Sequence, residues 1–390
     1  METKPASRLI YLDALRIIAV FLGLVYHSGR AFDFEAWHVK SPELSFAVQL
    51  FNDVLTMWRL PLLFLVSGAG TYFALKKRSS GSFIWDRVRR LFLPLIFGIF
   101  VIVPPQIYIE RITPENPDRI SAVNFSGTLW EFMLQRNFVP YPEGDLSWHH
   151  LWFLFYLFVF SVVLVPLLQR WRSAGMPRWN LWQMGLLLVV IDVTLRGAFP
   201  TQQDFFHDWA NNFHYGALFC FGFWITGSAR LQEQVEKNWK RAGLLLAITA
   251  PLWLMGMHEG SFEPYSAEFL IWMALRAVNQ WAGLIAILGL ASRIFTMEAA
   301  WIRWGRERVY PFYIWHQTVV VVVAYVVFKW NLNVGLGYAS VLLVSGVLTV
   351  LLSDLVVRVP FLRPFFGVYL ARKQRKLPAA KLRYSERDAT

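Results

Sequence analysis

Ten stretches of this sequence are apolar for long enough to matter more than any other feature: residues 9–29, 47–75, 84–108, 151–169, 180–198, 212–229, 242–257, 268–291, 309–328 and 338–357. A run of roughly 20 mostly apolar residues matches the hydrocarbon thickness of a bilayer, and only a helix satisfies its own backbone there. The expectation is therefore an all-α fold: a polytopic membrane bundle of about ten helices. The composition agrees, with only 16% charged residues where soluble domains carry about 25%. Mean hydropathy is +0.40. The 19 Trp and 14 Tyr suit two interfacial belts, with some left to line a site.

Charge placement gives the orientation. With the N-terminus inside and sides alternating, segments 1–8, 76–90, 169–179, 230–241, 292–308 and 358–390 hold 28 of the 38 Lys and Arg, and the outer segments 6. Acidic residues run the other way, 13 outside against 8 inside. That is the positive-inside bias, with both termini cytoplasmic. It also accounts for the net charge of +12 without invoking nucleic acid. The single cysteine, Cys220, allows no disulfide framework within the chain. Asp13 and Arg16 interrupt what would be a signal-peptide core, so the first helix reads as retained. One membrane domain is expected over 1–370, with a long outer loop at about 109–150, and a basic cytoplasmic tail over 371–390 suited to solvent or lipid headgroups.

The first span, YLDALRIIAVFLGLVYHS, carries Asp13, Arg16 and His27. At 100° per residue the step from Arg16 to His27 returns to within about 20° of one face, and spans about 16 Å along the axis. Asp13, three residues before Arg16, is its neighbour on that face and able to pair with it. Ionisable groups within a span are costly and mark a pathway or site. The plainer alternative is an interfacial Asp13–Arg16 pair snorkelling to the cytoplasm, with His27 at the outer boundary.

An Arg, ten residues and a His in the first span resemble the signature of the acyltransferase family 3 membrane proteins. That family also has an Arg-x-x-Arg motif between its second and third spans, and Arg87-Val88-Arg89-Arg90 stands there. FLVSGAG (64–70), HLWFL (150–154) and FYIWH (312–316) extend the resemblance along almost the whole chain. YLDALR, WHV (37–39) and LFND (50–53) are similar to the branch that succinylates osmoregulated periplasmic glucans. The resemblance implies a bacterial inner-membrane O-acyltransferase moving succinyl or acetyl from cytosolic acyl-CoA to a hydroxyl of an extracytoplasmic glycan. Acyl-CoA would be a substrate rather than a resident cofactor. Lacking the fused extracytoplasmic domain of some members, the chain would act alone or with glycan-synthesis partner proteins.

What the resemblance implies for residues follows. His27 would be the general base, its ordinary pKa of about 6.5 suiting the role. Arg16 and Asp13 would shape the inner channel. Lys76, Lys77, Arg78, Arg87, Arg89 and Arg90 would take the donor's phosphates, or serve only orientation and anionic lipid. His150, His316, His38, Trp37 and Arg59 would line the channel or meet the acceptor. A succinyl group would also want a cation, from Arg16, Arg59 or Arg276. His149, His207, His214 and His258 carry no argument beyond a structural one. No metal is expected, since HExxH, CxxC and His-x3-His spacings do not occur. Ser67 reads as a packing element and not a nucleophile. The competing function is a secondary transporter with a polar pathway through the bundle, or a scaffold that retains the stripe.

Overall fold

The computed structural model describes residues 10–258 and 262–369. All ten apolar segments fall on helix, and among the described residues the only strand-like pairing is an isolated bridge between Pro140 and Leu146. The helices are α1 (Ile10–Arg30), α2 (Phe46–Thr56), α3 (Arg59–Lys77), α4 (Ser80–Arg111), α5 (Leu129–Gln135), α6 (Trp152–Val163), α7 (Val165–Ala174), α8 (Leu181–Leu195), α9 (Trp209–Gly227), α10 (Ala229–His258), α11 (Ala267–Ile294), α12 (Ala300–Val327) and α13 (Val334–Arg358).

Six of these, taking α2 with α3 as one, are long and apolar enough to cross a membrane; the pair α6–α7, bent by 53°, makes a seventh. The chain is thus a multi-pass membrane protein, with fewer qualifying helices than the ten expected. The shortfall has local causes. The α8 helix has only 15 residues, α9 opens with Asn211, Asn212 and His214, and α10 spends three turns on RLQEQVEKNWKR. Residues 371–390, expected as a basic tail, and the side chain of His258 lie outside the described residues.

In lipid, burying apolar surface between helices gains little, so close backbone approach and interhelical hydrogen bonds hold the bundle. The α3–α9 contact shows the first. A Cβ on Gly68 would stand 1.8 Å from the Phe219 carbonyl oxygen, and one on Gly222 1.8 Å from that of Leu65. Each helix presents its glycine to the other's backbone, so VSGAG is a packing element. The second device ties α4 to α12. Gln106 Nε2 donates to Thr318 Oγ1 (2.6 Å), Gln317 Nε2 to Gln106 Oε1 (2.9 Å), and Thr318 Oγ1 to the Ile102 carbonyl (2.7 Å).

Two irregularities bear on function. The α4 helix widens into π turns at Val88–Phe92 and Gly98–Ile102, beside prolines 94, 104 and 105, which have no N–H to give the ladder. The chain also breaks between α2 and α3 at Met57–Trp58, which leaves Arg59 as the first residue of α3.

Candidate functional site

At one end of the bundle a single carboxylate gathers three guanidinium groups. Asp86 accepts from Arg78 (2.8 Å), Arg87 (2.9 Å) and Arg90 (2.8 Å). The π turn at Val88–Phe92 begins directly after Arg87 and carries Arg89 and Arg90. Arg87 lies over the Phe83 ring, while Arg89 and Arg90 lie over Tyr369. Lys76 and Lys77 are exposed beyond the cluster. Arg16 comes from α1 to the same end, its Nη2 3.4 Å from where a Cβ on Gly70 would stand, and its charge reaches Arg87 and Tyr310. Asp13 accepts from Arg306 of α12 (3.0 Å), which also binds Glu298 (2.7 Å).

At the other end five histidines meet. His27 lies 5.1 Å from His316 between ring centres, and His316 lies 5.2 Å from His150. Trp37 stacks over His27 at 6.4 Å and leads to His38, which stacks on His149 at 4.6 Å. His149 adopts a left-handed φ of 41°, uncommon without glycine, and its ring sits between His38 and Tyr141.

Hydrogen bonds fix several tautomers, because a carbonyl can only accept. His316 Nδ1 donates to the Tyr313 carbonyl (2.6 Å), leaving Nε2 with the lone pair. His150 Nε2 donates to the Ile314 carbonyl (3.0 Å), and its buried Nδ1 has no partner. His27 Nδ1 is likewise buried without a partner. His38 Nδ1 meets Glu110 Oε2 at 2.7 Å. Glu110, buried at the end of α4, also accepts from the Tyr141 hydroxyl (2.9 Å) and from the N–H groups of Ile120 (2.9 Å) and Ser121 (2.7 Å). Burial, reinforced by the Glu110 charge, holds the Tyr141 phenol protonated, well above its ordinary value of 10.0.

Polar side chains also lie between the two ends. Tyr310 and Tyr313 of α12 stand one turn apart, and Tyr313 faces Arg59. Arg59 lies over the Tyr26 ring (4.4 Å), and its charge reaches His27. Tyr26, His27, His149 and Tyr310 are each partly buried.

Sequence reasoning placed Arg16 and His27 on one helix and expected opposite duties for its ends; the geometry sets them at opposite ends of this polar series. It missed Glu110, Tyr141, Tyr310, Tyr313 and the place of His149. Two signals were available: Tyr313 lies within FYIWH, and the Glu110-Arg111 pair closes an apolar span. His207 sits in a loop with Asp204, apart from this cluster, and His214 belongs to a separate buried network, bridging Asp192 (2.9 Å) and Gln280. Arg276 is engaged there by Asp192 (2.6 Å). Among the described residues no three His, Cys, Asp or Glu side chains are arranged to hold a metal ion.

Comparisons with known proteins point the same way. Glucans biosynthesis protein C of Salmonella heidelberg (strain SL476) is 23% identical over 391 aligned positions, covering 94% of this chain and 96% of that protein. The protein of that name from Shigella dysenteriae serotype 1 (strain Sd197) is 27% identical over 177 positions, 44% of this chain and 42% of that protein. For Escherichia coli O6:K15:H31 (strain 536 / UPEC) the identity is 28% over 177 positions, with the same shares. A family model described as an acyltransferase domain matches residues 9–358. The chain is therefore a multi-pass membrane acyltransferase and belongs to acyltransferase family 3.

Proposed function

We propose that this enzyme works in a bacterial inner membrane, taking succinyl or acetyl from cytosolic acyl-CoA and esterifying a hydroxyl of an extracytoplasmic glycan, in particular a periplasmic glucan. The observation that carries the reading is the polar series through the bundle, with a group of arginines at one end and histidine lone pairs at the other. The positive-inside bias supports a cytosolic arginine end and cytosolic termini. The name shared by the relatives supports a glucan as acceptor. The acyltransferase unit is taken as 1–370.

Arg78, Arg87 and Arg90 receive the phosphates of the donor, with Arg89, Lys76 and Lys77 at the rim; guanidinium forks suit phosphate oxygens. Arg16, with Asp13 behind it, steadies the pantetheine arm, which carries the thioester toward His27. The acceptor hydroxyl gives its proton to His27 as its oxygen bonds to the thioester carbonyl carbon. Collapse of the tetrahedral intermediate breaks the C–S bond, and the imidazolium returns the proton to the CoA thiolate. Trp37, His38, His150 and His316 line the acceptor side, where an aromatic face suits a sugar ring and Nε2 of His316 and Nδ1 of His150 accept from its hydroxyls.

Purified protein given labelled succinyl- or acetyl-CoA and a periplasmic glucan should form glycan ester, and His27→Ala should lose at least about a hundredfold in rate, as for removal of a general base. Folded His27→Ala with full activity refutes the assignment. Solute flux in proteoliposomes without acyl transfer would support a transporter instead.

A further inference from the structure

A cleft of about 490 Å³ opens between α8, α10 and α11, and no residue that lines it belongs to the polar series. Its size falls within the roughly 300–1,000 Å³ of sites that hold small molecules. The short α8 helix leaves this space. Its 15 residues rise about 22 Å, against roughly 30 Å of hydrocarbon. It packs along α9 and α11 and hardly touches α10. One tie to α10 is at its first residue, where the Leu181 N–H donates to Gln234 Oε1 (3.2 Å).

The cleft changes chemistry along its length. On α10, Gln234, Asn238, Arg241 and Leu245 follow one another at helical spacing, so one face passes from amides through a guanidinium to hydrocarbon. On α8 the order repeats, from Asn180 to Leu186 and Val189, and Ile285 of α11 completes the apolar wall. The amides are engaged within the protein: Asn238 Nδ2 donates to the Gln234 carbonyl (2.8 Å), and Asn180 Oδ1 accepts from the N–H groups of Trp182 and Gln183 (3.0 Å each). Arg241 has no hydrogen bond or ion pair among the described residues, and no carboxylate lines the cleft. The acids of α10 are placed elsewhere, Glu233 against Lys237 (2.6 Å) and Glu236 near Tyr11 of α1.

We infer that the cleft seats one anionic glycerophospholipid, with an acyl chain along the apolar wall and the phosphate on Arg241. The chain meets Leu, Val and Ile, and the surrounding bilayer supplies it as solvent. The phosphate meets a guanidinium fork, which takes two of its oxygens at once. A zwitterionic lipid carries its own cation beside the phosphate and gains less from Arg241. On the orientation that the charge bias supports, α8 and α10 both start on the cytosolic side, so the polar end of the cleft faces the leaflet surface that is rich in anionic headgroups. The lipid fills the gap that α8 leaves beside α10. The inference is independent of the acyl-transfer reading.

Native mass spectrometry of the full-length protein counts the lipid directly. With phosphatidylglycerol and phosphatidylcholine at equal concentration, wild type should retain one phosphatidylglycerol at least about tenfold more often, the worth of one charge-assisted contact. Arg241→Gln, at an exposed position, should bring that ratio to within about twofold, and Arg241→Lys should keep part of it. Ala242→Phe, which fills the wall, should lower retention of both lipids. In thermal unfolding, phosphatidylglycerol should raise the midpoint of wild type more than phosphatidylcholine does, and the difference should disappear in Arg241→Gln. Equal retention of both lipids by wild type, or an unchanged ratio in Arg241→Gln, overturns the assignment. Full occupancy in folded Ala242→Phe would place the lipid elsewhere and overturn it too. Displacement of the lipid by an equal concentration of glycerol phosphate would mark a soluble phosphate site instead, and a dimer that forms by excluding the lipid would mark an interface between copies; either result refutes the proposal.

Discussion

Glu110→Gln is the sharpest probe of the histidine end, because it changes one oxygen into an NH2 group and little else. The carboxylate receives His38 and the Tyr141 hydroxyl at one oxygen, and Tyr141 with the Ile120 and Ser121 amides at the other. The amide keeps an oxygen for the backbone donors but turns a donor toward His38 Nδ1, which must then change tautomer or lose its partner. Losing a charge-assisted bond inside the protein costs about 1.5–3 kcal/mol. Glu110→Ala strands all four donors, and at about 1 kcal/mol or more each should cost at least ~4 kcal/mol. Equilibrium unfolding in micelles reads these numbers. A cycle with His38→Gln isolates the pair, and a coupling of at least about 1 kcal/mol is expected. Additive effects, within about 0.5 kcal/mol, would mean that the 2.7 Å contact carries no energy and that Glu110 does not set the state of His38.

Two further outcomes are expected. Gly68→Ala should cost about 3 kcal/mol or more, since its methyl meets a backbone oxygen that cannot rotate away; Gly81→Ala, with open space around it, should be neutral or mildly stabilising, and thermal unfolding of the two separates packing from propensity. Arg87→Ala with Arg90→Ala should weaken acyl-CoA binding by at least about a hundredfold, the loss of two charge-assisted contacts, while the acceptor KM stays within a few-fold; unchanged CoA affinity would refute the docking assignment.

The helical state of the apolar segments was legible because apolar length is a local property, written wherever a segment must satisfy its own backbone in lipid. The number able to cross was not. The α8 helix stops at 15 residues and α10 runs 30, its charges confined to the first half, so helix ends and membrane ends part company. The site divides the same way. Arg16 and His27 share a helix, and their spacing alone puts them on one face. The contact of His27 with His316, and that of Asp13 with Arg306, join residues nearly three hundred apart, and nothing in either segment announces the other. Glu110 was hidden by position: at the end of an apolar span it reads as an interfacial acid, and only the fold of the following loop, which turns two amides and a phenol onto it, makes it the centre of a network.

On the proposed reading, the distribution of charge along the polar series bears on how a donor as large as acyl-CoA would be used. Three arginines share one carboxylate at one end, which leaves that end cationic and, on that reading, the place for the donor's phosphates. Beyond Arg16 the described series offers tyrosines, one guanidinium and imidazoles. A nucleotide carrying several negative charges gains nothing by moving inward from the first region to the second, since each phosphate would leave a guanidinium for a phenol. A thioester arm has no charge to lose. On the proposed reading the two ends therefore sort the donor by chemistry: the nucleotide stays where the arginines are, and only the arm and its acyl group reach the histidines. On that reading the carboxylate of the histidine cluster obeys the same logic, for Glu110 contacts His38, with Trp37 between His38 and His27. A carboxylate against His27 itself would favour the imidazolium and remove the lone pair that the acceptor hydroxyl needs.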